Sequence, residues 1–409
     1  MAAVVLVGTL DTKCAEYIWL RDRLREYGVT TTCIDVGTFS DGGGIADVGP
    51  AQVAAAAGKD LEVLRAGNDR GAAMAAMSAG ATAVVSRLFA ERRLHGLLGV
   101  GGSSGSSVAG AAMQALPVGV PKLLVTTMAA GDVRPYVGAK DVTLMPSVVD
   151  VAGINQISRA TLGNAVAGIA AMAAAYESRI TAQEGHHDRP LVGATMFGLT
   201  TPAVDEARAR LTELGYEVLV FHATGAGGRA MESLVTDGFL AGVLDLTTTE
   251  LADDLLGGVL SAGPLRLEAA GRAGIPQVVS VGALDMCNFG PRETIPDRYE
   301  GRTFVIHNPT VTLMRTTPDE MAELGRRIAA KLRGATGPAE VCLPTKGVSG
   351  IDVASGPFYD PEADAACFAA IHEGLAGSAV SVHDVDAAIN DPGFGRAAAD
   401  RLHHLITGT

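Results

Sequence analysis

The stretch Val4–Val36, VVLVGTLDTKCAEYIWLRDRLREYGVTTTCIDV, decides the fold. It opens on a short apolar run, Val4 to Leu10, of the length and β-branched content of a buried strand. A helix is expected from Cys14 to Tyr27, ended by Gly28, the residue that takes the left-handed conformation at helix ends without strain. A second strand, Thr30 to Val36, completes a strand–helix–strand unit of the kind that builds parallel sheets.

The same plan returns after residue 190. A strand at Leu191–Phe197, LVGATMF, precedes a helix from Ala203 to Leu214 ended by Gly215, and then a strand from Glu217 to His222. The helix ends read LREYG in one copy and LTELG in the other, and Thr201-Pro202 supplies an N-cap and a first-turn proline. Further on, Gly96-Leu-Leu-Gly-Val matches Gly242-Val-Leu-Asp-Leu, and Val120-Pro-Lys-Leu-Leu-Val matches Ile275-Pro-Gln-Val-Val-Ser. The first copy carries an extra segment, about Gly42 to Gly80, that includes Arg65, Asn68, Asp69 and Arg70. Downstream, Thr317-Pro-Asp-Glu320 is a capping box opening a helix to Leu332. Strands at Ala339–Leu343 and Ala379–Val382 are expected to complete the second sheet. The fold class is therefore α/β, two doubly wound parallel-sheet domains related by a distant internal repeat. Their bounds are 1–182, a polar linker at 183–190, and 191–409 with a C-terminal extension.

Bulk properties narrow the function. A net charge of -13 with no basic arm opposes non-specific nucleic-acid binding. The five cysteines are scattered without metal-like spacing, as expected of reduced thiols in a cytoplasmic protein. The apolar N-terminus has no basic region before it and reads as a first strand, not a signal peptide. The apolar stretch Leu162–Tyr176 falls short of the roughly 20 residues a bilayer span needs, so no membrane association is expected. His186 and His187 stand in the polar linker beside Gly185 and Pro190, a solvated connector in preference to a metal site.

Ligands in such sheets bind beyond the carboxyl ends of the strands, so the loops there carry the functional reading. Eight of them are rich in Gly, Thr, Ser and Asp. Gly99–Ser107, GVGGSSGSS, and His222–Arg229, HATGAGGR, set clustered glycines before helices expected from Val108 and beyond Arg229. Each is either a plain connector or a loop whose amides approach an anion. Neither is a Walker A loop, which would need a GK[ST] lysine. Lys13 is either a phosphate-neutralising cation or an exposed first-turn residue. Asp11, Asp245 and Glu250 are the hard oxygen groups that suit Mg2+, although Asp11 serves equally as a helix N-cap. His222 and His307 end the apolar runs VLVFH and TFVIH, where a histidine is more often buried; His307 also stands where a general base belongs. Cys287 reads as a core thiol more readily than as a nucleophile.

Taken together, GTLDTK, GGSSGSS, GATMFGLTTP, FHATGAGG, DLTTTE, SVGALDMCNFG and INDPGFG, in that order from Gly8 to Gly395, resemble the Tm-1-like ATP-binding family. That family is also catalogued as an uncharacterised protein family, UPF0261, and its namesake is the amino-terminal part of a plant protein that blocks tobamovirus RNA replication. The resemblance implies two α/β domains, ATP bound between or beside them, a homodimer or higher homo-oligomer, and a TIM-barrel companion, which this chain does not contain. Serines here replace the glycine or threonine of GGSGGT-like versions of the middle motif.

The resemblance turns the Gly-rich loops into phosphate loops. The implied ATP contacts are Thr9, Asp11, Thr12, Lys13, Gly101, Gly102, Ser103, Ser104, Gly105, Thr195, Gly225, Gly227, Gly228, Thr247, Thr248 and Thr249, with Mg2+ on Asp11, Asp245 and Glu250. The expected function is ATP binding in an interdomain cleft, within a small-molecule pathway. The alternatives are an enzyme acting on a small carboxylated or phosphorylated metabolite through His307, Asp285 or Lys13, and a nucleotide-sensing regulatory or scaffold protein.

Overall fold

Five strands, β1 (Ala3–Gly8), β2 (Thr30–Asp35), β3 (Gly96–Gly101), β4 (Lys122–Thr126) and β5 (Thr143–Pro146), form one all-parallel sheet in the order β2-β1-β3-β4-β5. This is a computed structural model that describes residues 1–182 and 189–408. The chain divides into two units at residues 187 and 188. Residues 183–188 of the expected linker, with His186 and His187, lie outside the described residues.

In the first unit both faces of the sheet are covered, which is why its strands are apolar throughout. Helices Leu10–Glu26 and Gln156–Ala182 bury Leu20, Leu24, Val166 and Ile169 on one face. Helices Arg70–Ala90 and Ser103–Gln114 bury Met77, Val84, Val108 and Met113 on the other. Helix Arg70–Ala90 has the length and composition to cross a bilayer; here it also buries Ala81, Val85 and Leu88 in the core. The extra segment of the first copy forms helices Pro50–Ala56 and Leu61–Ala66, set ahead of that long crossover helix.

The second unit repeats the plan and extends it. Strands β6 (Leu191–Met196), β7 (Glu217–His222), β8 (Leu240–Thr247) and β9 (Gln277–Gly282) are parallel. After them come β10 (Met286–Phe289), β11 (Phe304–Asn308) and β12 (Val311–Arg315), a small antiparallel sheet ordered β10-β12-β11. Strands β13 (Ala339–Pro344) and β14 (Ser381–Val385) then complete the main sheet as β14-β13-β9-β8-β6-β7. Helix Pro318–Arg333 starts at the expected box: Thr317 Oγ1 accepts the Glu320 amide at 3.3 Å, and the Glu320 carboxylate accepts the Thr317 amide at 2.8 Å.

Register makes the repeat exact enough to compare positions. Val4 pairs with Gly96 and Val192 with Gly242, while Leu97 faces Lys122 and Val243 faces Gln277. Gly99 is therefore the counterpart of Asp245; beyond it the β8 register shifts between Asp245 and Thr247, and the helix that opens on Glu250 in the second unit opens on Ser103 in the first. Several boundaries differ from expectation: the first helix begins at Leu10 and not Cys14, the helix after HATGAGGR at Ala226, and the last strand is Ser381–Val385. The helix expected at Val108 begins at Ser103, because Gly102 takes the extended N-cap conformation and the serines that follow enter the first turns. The helix after β6 begins at Thr201 with Thr200 as its N-cap, following a 3-10 turn over Gly198–Thr200.

In both sheets the strand order reverses beside the first strand, and there the chains part. The β1–β3 ladder ends at Val7 and Gly99. The hydroxyl of fully buried Tyr17 lies beyond it, donating to the Val7 carbonyl at 2.6 Å and accepting the Val100 amide at 2.9 Å. Gly8 makes room for the ring, since a Cβ there would sit 2.0 Å from Tyr17 Cζ. Tyr17→Phe keeps the ring and strands both backbone groups, so unfolding in urea should show the first unit destabilised by about 1–3 kcal/mol.

Candidate functional site

The first unit opens a cavity of about 380 Å³ where β1 and β3 part. Its walls come from the ends of β1 (Thr9, Asp11, Thr12) and β2 (Val36, Gly37, Thr38, Phe39), from the extra segment and the crossover helix after it (Leu64, Asn68, Asp69, Arg70, Ala73, Met74), and from Ser104. Lys13, expected to contact phosphate, is not among these lining residues; it is the non-helical residue at which the first turn of helix Leu10–Glu26 kinks. Asp11 lies in that first turn, after an N-cap at Thr9, so it is not the cap residue.

Buried Asp35 underlies the cavity. Its Oδ1 accepts the amides of Leu10 at 3.1 Å and Gly37 at 2.9 Å, tying the loop after β1 to the loop after β2. Burial raises its pKa, against the hydrogen bonds that favour its charged form. Above it, Arg65 donates to the carbonyls of Thr38 at 2.7 Å and Ser40 at 3.0 Å, so the extra segment holds the loop that carries exposed Phe39. Arg70 donates to Ser104 Oγ at 3.0 Å.

The start of helix Ser103–Gln114 stands at this cavity. Ser106 N bonds to the Gly102 carbonyl at 2.9 Å, and the earlier amides of the turn have no partner within the helix. A Cβ at Gly102 would have only Thr127 Oγ1, at 3.8 Å, as a near neighbour. A second recess of about 330 Å³, lined by Ser78, Ser103, Ser104 and Ser107, adjoins it through Met74 and Ser104.

The corresponding point of the second unit is filled by protein. Arg266, fully buried, donates to Asp245 through Nη1 at 2.5 Å and Nη2 at 2.7 Å, and to Glu250 through Nε at 2.6 Å. Burial alone would disfavour its charge, but Asp245, Glu250 and Glu232 outweigh that and hold the guanidinium firmly protonated. Glu250 Oε1 also accepts the amides of Gly225 at 2.6 Å and Gly228 at 3.1 Å. The glycines of HATGAGGR thus admit an anion, as expected, but the anion is the protein's own: a Cβ at Gly228 would sit 2.1 Å from Glu250 Oε2. Gly227 is equally constrained, its Cβ position lying 2.0 Å from the His222 carbonyl.

Thr195, Thr247, Thr248 and Thr249 are buried and turned inward. Thr195 Oγ1 donates to Asp245 at 2.7 Å and accepts the Thr247 amide at 3.0 Å. Thr248 and Thr249 donate to the carbonyls of Ser280 and Met286. Of the expected metal ligands, Asp245 and Glu250 meet on Arg266, and Asp11 belongs to the other unit. Among the described residues no cluster of three or more His, Cys, Asp or Glu side chains is placed to hold a metal ion.

The expected acid/base groups are also separated. His307 is exposed on the β11–β12 hairpin, not at the end of a parallel strand. Asp285 follows β9, fully buried, and accepts Ser349 Oγ at 2.8 Å through Oδ2 while Oδ1 has no partner. It shares a buried group with Asp352, Asp364 and Arg315, whose Nη2 reaches Asp364 at 3.1 Å and Asp352 at 3.5 Å. Burial, reinforced by the Asp352 charge, pushes Asp285 up to about 7 and Asp364 up to about 8. Cys287 is a buried thiol whose pKa burial raises, which makes it a core residue and not a nucleophile.

Fold and site define a two-unit α/β protein in which one switch point is open and its repeat is closed by an arginine. Residues 2–178 match the N-terminal domain, and residues 189–406 the C-terminal domain, of an uncharacterised protein family (UPF0261). The chain belongs to that family. It is 46% identical to a UPF0261 protein of Clostridium tetani (strain Massachusetts / E88), over 98% of this chain and 98% of that protein. To a UPF0261 protein of Rhizobium meliloti (strain 1021) it is 45% identical, over 97% of this chain and 98% of that protein. It is also 42% identical to the ToMV resistance protein Tm-1(GCR237) of Solanum lycopersicum, over 88% of this chain and 50% of the tomato protein.

Sequence reasoning did not find Arg266. Its only signal was two acidic residues, Asp245 in β8 and Glu250 just after it, which need a buried cation once they lie inside the fold. Arg266→Ala leaves Asp245 and Glu250 buried without it, and denaturant unfolding should show the second unit losing about 3–5 kcal/mol. The aspartate group carries a pH signature. Asp285 and Asp364 titrate higher folded than the unfolded value of about 4, so folding takes up protons between those values. Their stabilising contribution is complete below about pH 4 and is lost progressively as pH rises from there to the folded values of about 7 and 8. The melting midpoint of the second unit should fall as pH rises from about 4 to about 8 and level off above that, and Asp364→Asn should flatten that slope.

Proposed function

We propose that the first unit binds ATP in the cavity beyond β1, β2 and β3. The observation that carries this reading is the composition of one concave site at a switch point. An apolar wall of Phe39, Leu64 and Met74, the guanidinium of Arg70 and the start of a helix share it. A purine suits the apolar wall. A phosphate chain suits Arg70 and the amides of Ser103, Ser104 and Gly105, with Gly101 and Gly102 keeping side chains out of its way. The recess at Ser78, Ser103 and Ser107 gives the chain room to continue. The volume, about 380 Å³, lies within the range of small-molecule sites.

In this reading the first unit alone holds the nucleotide, instead of both Gly-rich loops. The loop at Gly225–Gly228 has its own carboxylate, so it has no vacancy for a phosphate. The three-carboxylate magnesium site does not assemble, because Asp245 and Glu250 are committed to Arg266 in the second unit while Asp11 lies in the first. Mg2+ would enter only on the phosphates it accompanies.

Titration calorimetry with ATP and ADP, with and without magnesium, tests the reading. Saturable binding is expected, weakened about tenfold or more by Arg70→Ala and by Gly102→Val, and left unchanged by His307→Ala. Absence of heat and of any thermal shift with either nucleotide would overturn it.

A further inference from the structure

Three carboxylates stand at or beneath the cavity of the first unit, and two are committed. Asp35 is buried and accepts the amides of Leu10 and Gly37. Asp69 caps the crossover helix, accepting the Ala72 amide at 3.0 Å. Asp11 is exposed, lines the cavity and accepts no hydrogen bond among the described residues. Although it follows β1 in the chain, its carboxylate lies at the end of β2. A Cβ on Gly37 would sit 2.7 Å from the Asp11 carboxyl carbon. Position 37 has no side chain, and the aspartate occupies the space.

In dinucleotide-binding sheets the end of the second strand is where an acidic side chain meets the ribose hydroxyls, while phosphates go to a helix start beside the first strand. Here the carboxylate reaches that place from the other loop. Its charge also sorts the ligand: a phosphate beside Asp11 is repelled, and one beside Arg70 and Ser104 is attracted. With the base on Phe39, Leu64 and Met74, the sugar falls between the two.

Resting on the nucleotide reading above, we infer that Asp11 accepts the ribose hydroxyls, so that the site selects ribonucleotides over their deoxy counterparts. A vicinal diol donates two hydrogen bonds to a carboxylate; a 2′-deoxyribose donates one. The loss of a hydrogen bond to a charged acceptor is a large discrimination when the acceptor is left unpaired. Gly37 has a positioning role, holding the carboxylate by having no side chain of its own.

The experiment compares ATP, 2′-deoxy-ATP and 3′-deoxy-ATP by calorimetry on the intact chain. The wild-type protein should bind ATP about tenfold to a hundredfold more tightly than either deoxy form. Asp11→Asn should bring the three affinities toward parity, mainly by weakening ATP. Gly37→Ala should do the same with Asp11 intact, because the added methyl displaces its carboxylate. Melting curves of both variants report whether the first unit stays folded, and the wild-type comparison needs no variant. Equal affinity for ATP and its deoxy forms in the wild type, or a preference that survives Asp11→Asn, would overturn the inference while leaving nucleotide binding in place. Failure of the wild type to bind any of the three removes the underlying reading, and the inference with it.

Discussion

Where two parallel strands part at a switch point, their last facing amide and carbonyl lose each other and must be satisfied some other way. Each unit solves this with a hydroxyl. In the first, Tyr17 reaches in from the helix after β1 and joins Val7 to Val100. In the second, Thr195 and Thr247 exchange side-chain and backbone bonds across β6 and β8, with Thr200 completing the set. These bridges hold the strand ends apart without unsatisfied backbone. What fills the space beyond them then becomes a separate question, and the two units answer it differently.

The second unit fills the space with its own charges. An arginine and a carboxylate taken out of water must find each other and further partners, or the burial is prohibitive. Arg266 meets Asp245 on two atoms and Glu250 on a third, and Glu250 spends its other oxygen on two loop amides. In the first unit Gly99 stands where Asp245 does, and the helix opens on serines, Ser103 and Ser104, where the second unit has Glu250. Gly99 cannot carry an acid because helix Ser103–Gln114 packs directly on it, a Cβ there lying 2.6 Å from Ala109 Cβ. Ser104 offers Arg70 a hydroxyl where a carboxylate would give a charge partner. In the nucleotide reading, a ligand phosphate would supply the charge that position lacks.

The repeat, the parallel sheets and the tail that completes the second sheet were legible in the sequence, because strand and helix periods, glycine stops and the Thr317 box are local signals. So was the rule that glycines at a helix start admit an anion. The identity of the anion was not, because Glu250 lies far along the chain from Gly225 and only tertiary structure joins them. Arg266 sits in an irregular segment with no motif around it. Asp285 was singled out for its place after a strand, but its partners Asp352 and Asp364 arrive from a loop and a helix well downstream. Asp11 was read as an ATP contact, a metal ligand or a cap, and none of these readings could foresee that Gly37 would leave it room at the end of a different strand.

The same contrast bears on how each unit holds its shape. The ties of Arg266 to Asp245 and Glu250 around the second switch point are buried and charged, so opening it would expose unpaired ions at high cost. Around the first cavity, the rim loop depends on Arg65, whose side chain is 28% exposed, and carries Phe39 in solvent. Exposed ties of this kind open locally at small cost, which is the property ligand sites are drawn from. A ligand that bridges Phe39, Asp11 and Arg70 would replace the missing internal contacts with its own and stabilise the first unit by mass action. The second unit, already closed on Arg266, has nothing to gain from the same ligand. One topology thus yields a half whose switch point is closed by its own buried ions and a half whose switch point is left open as a cavity.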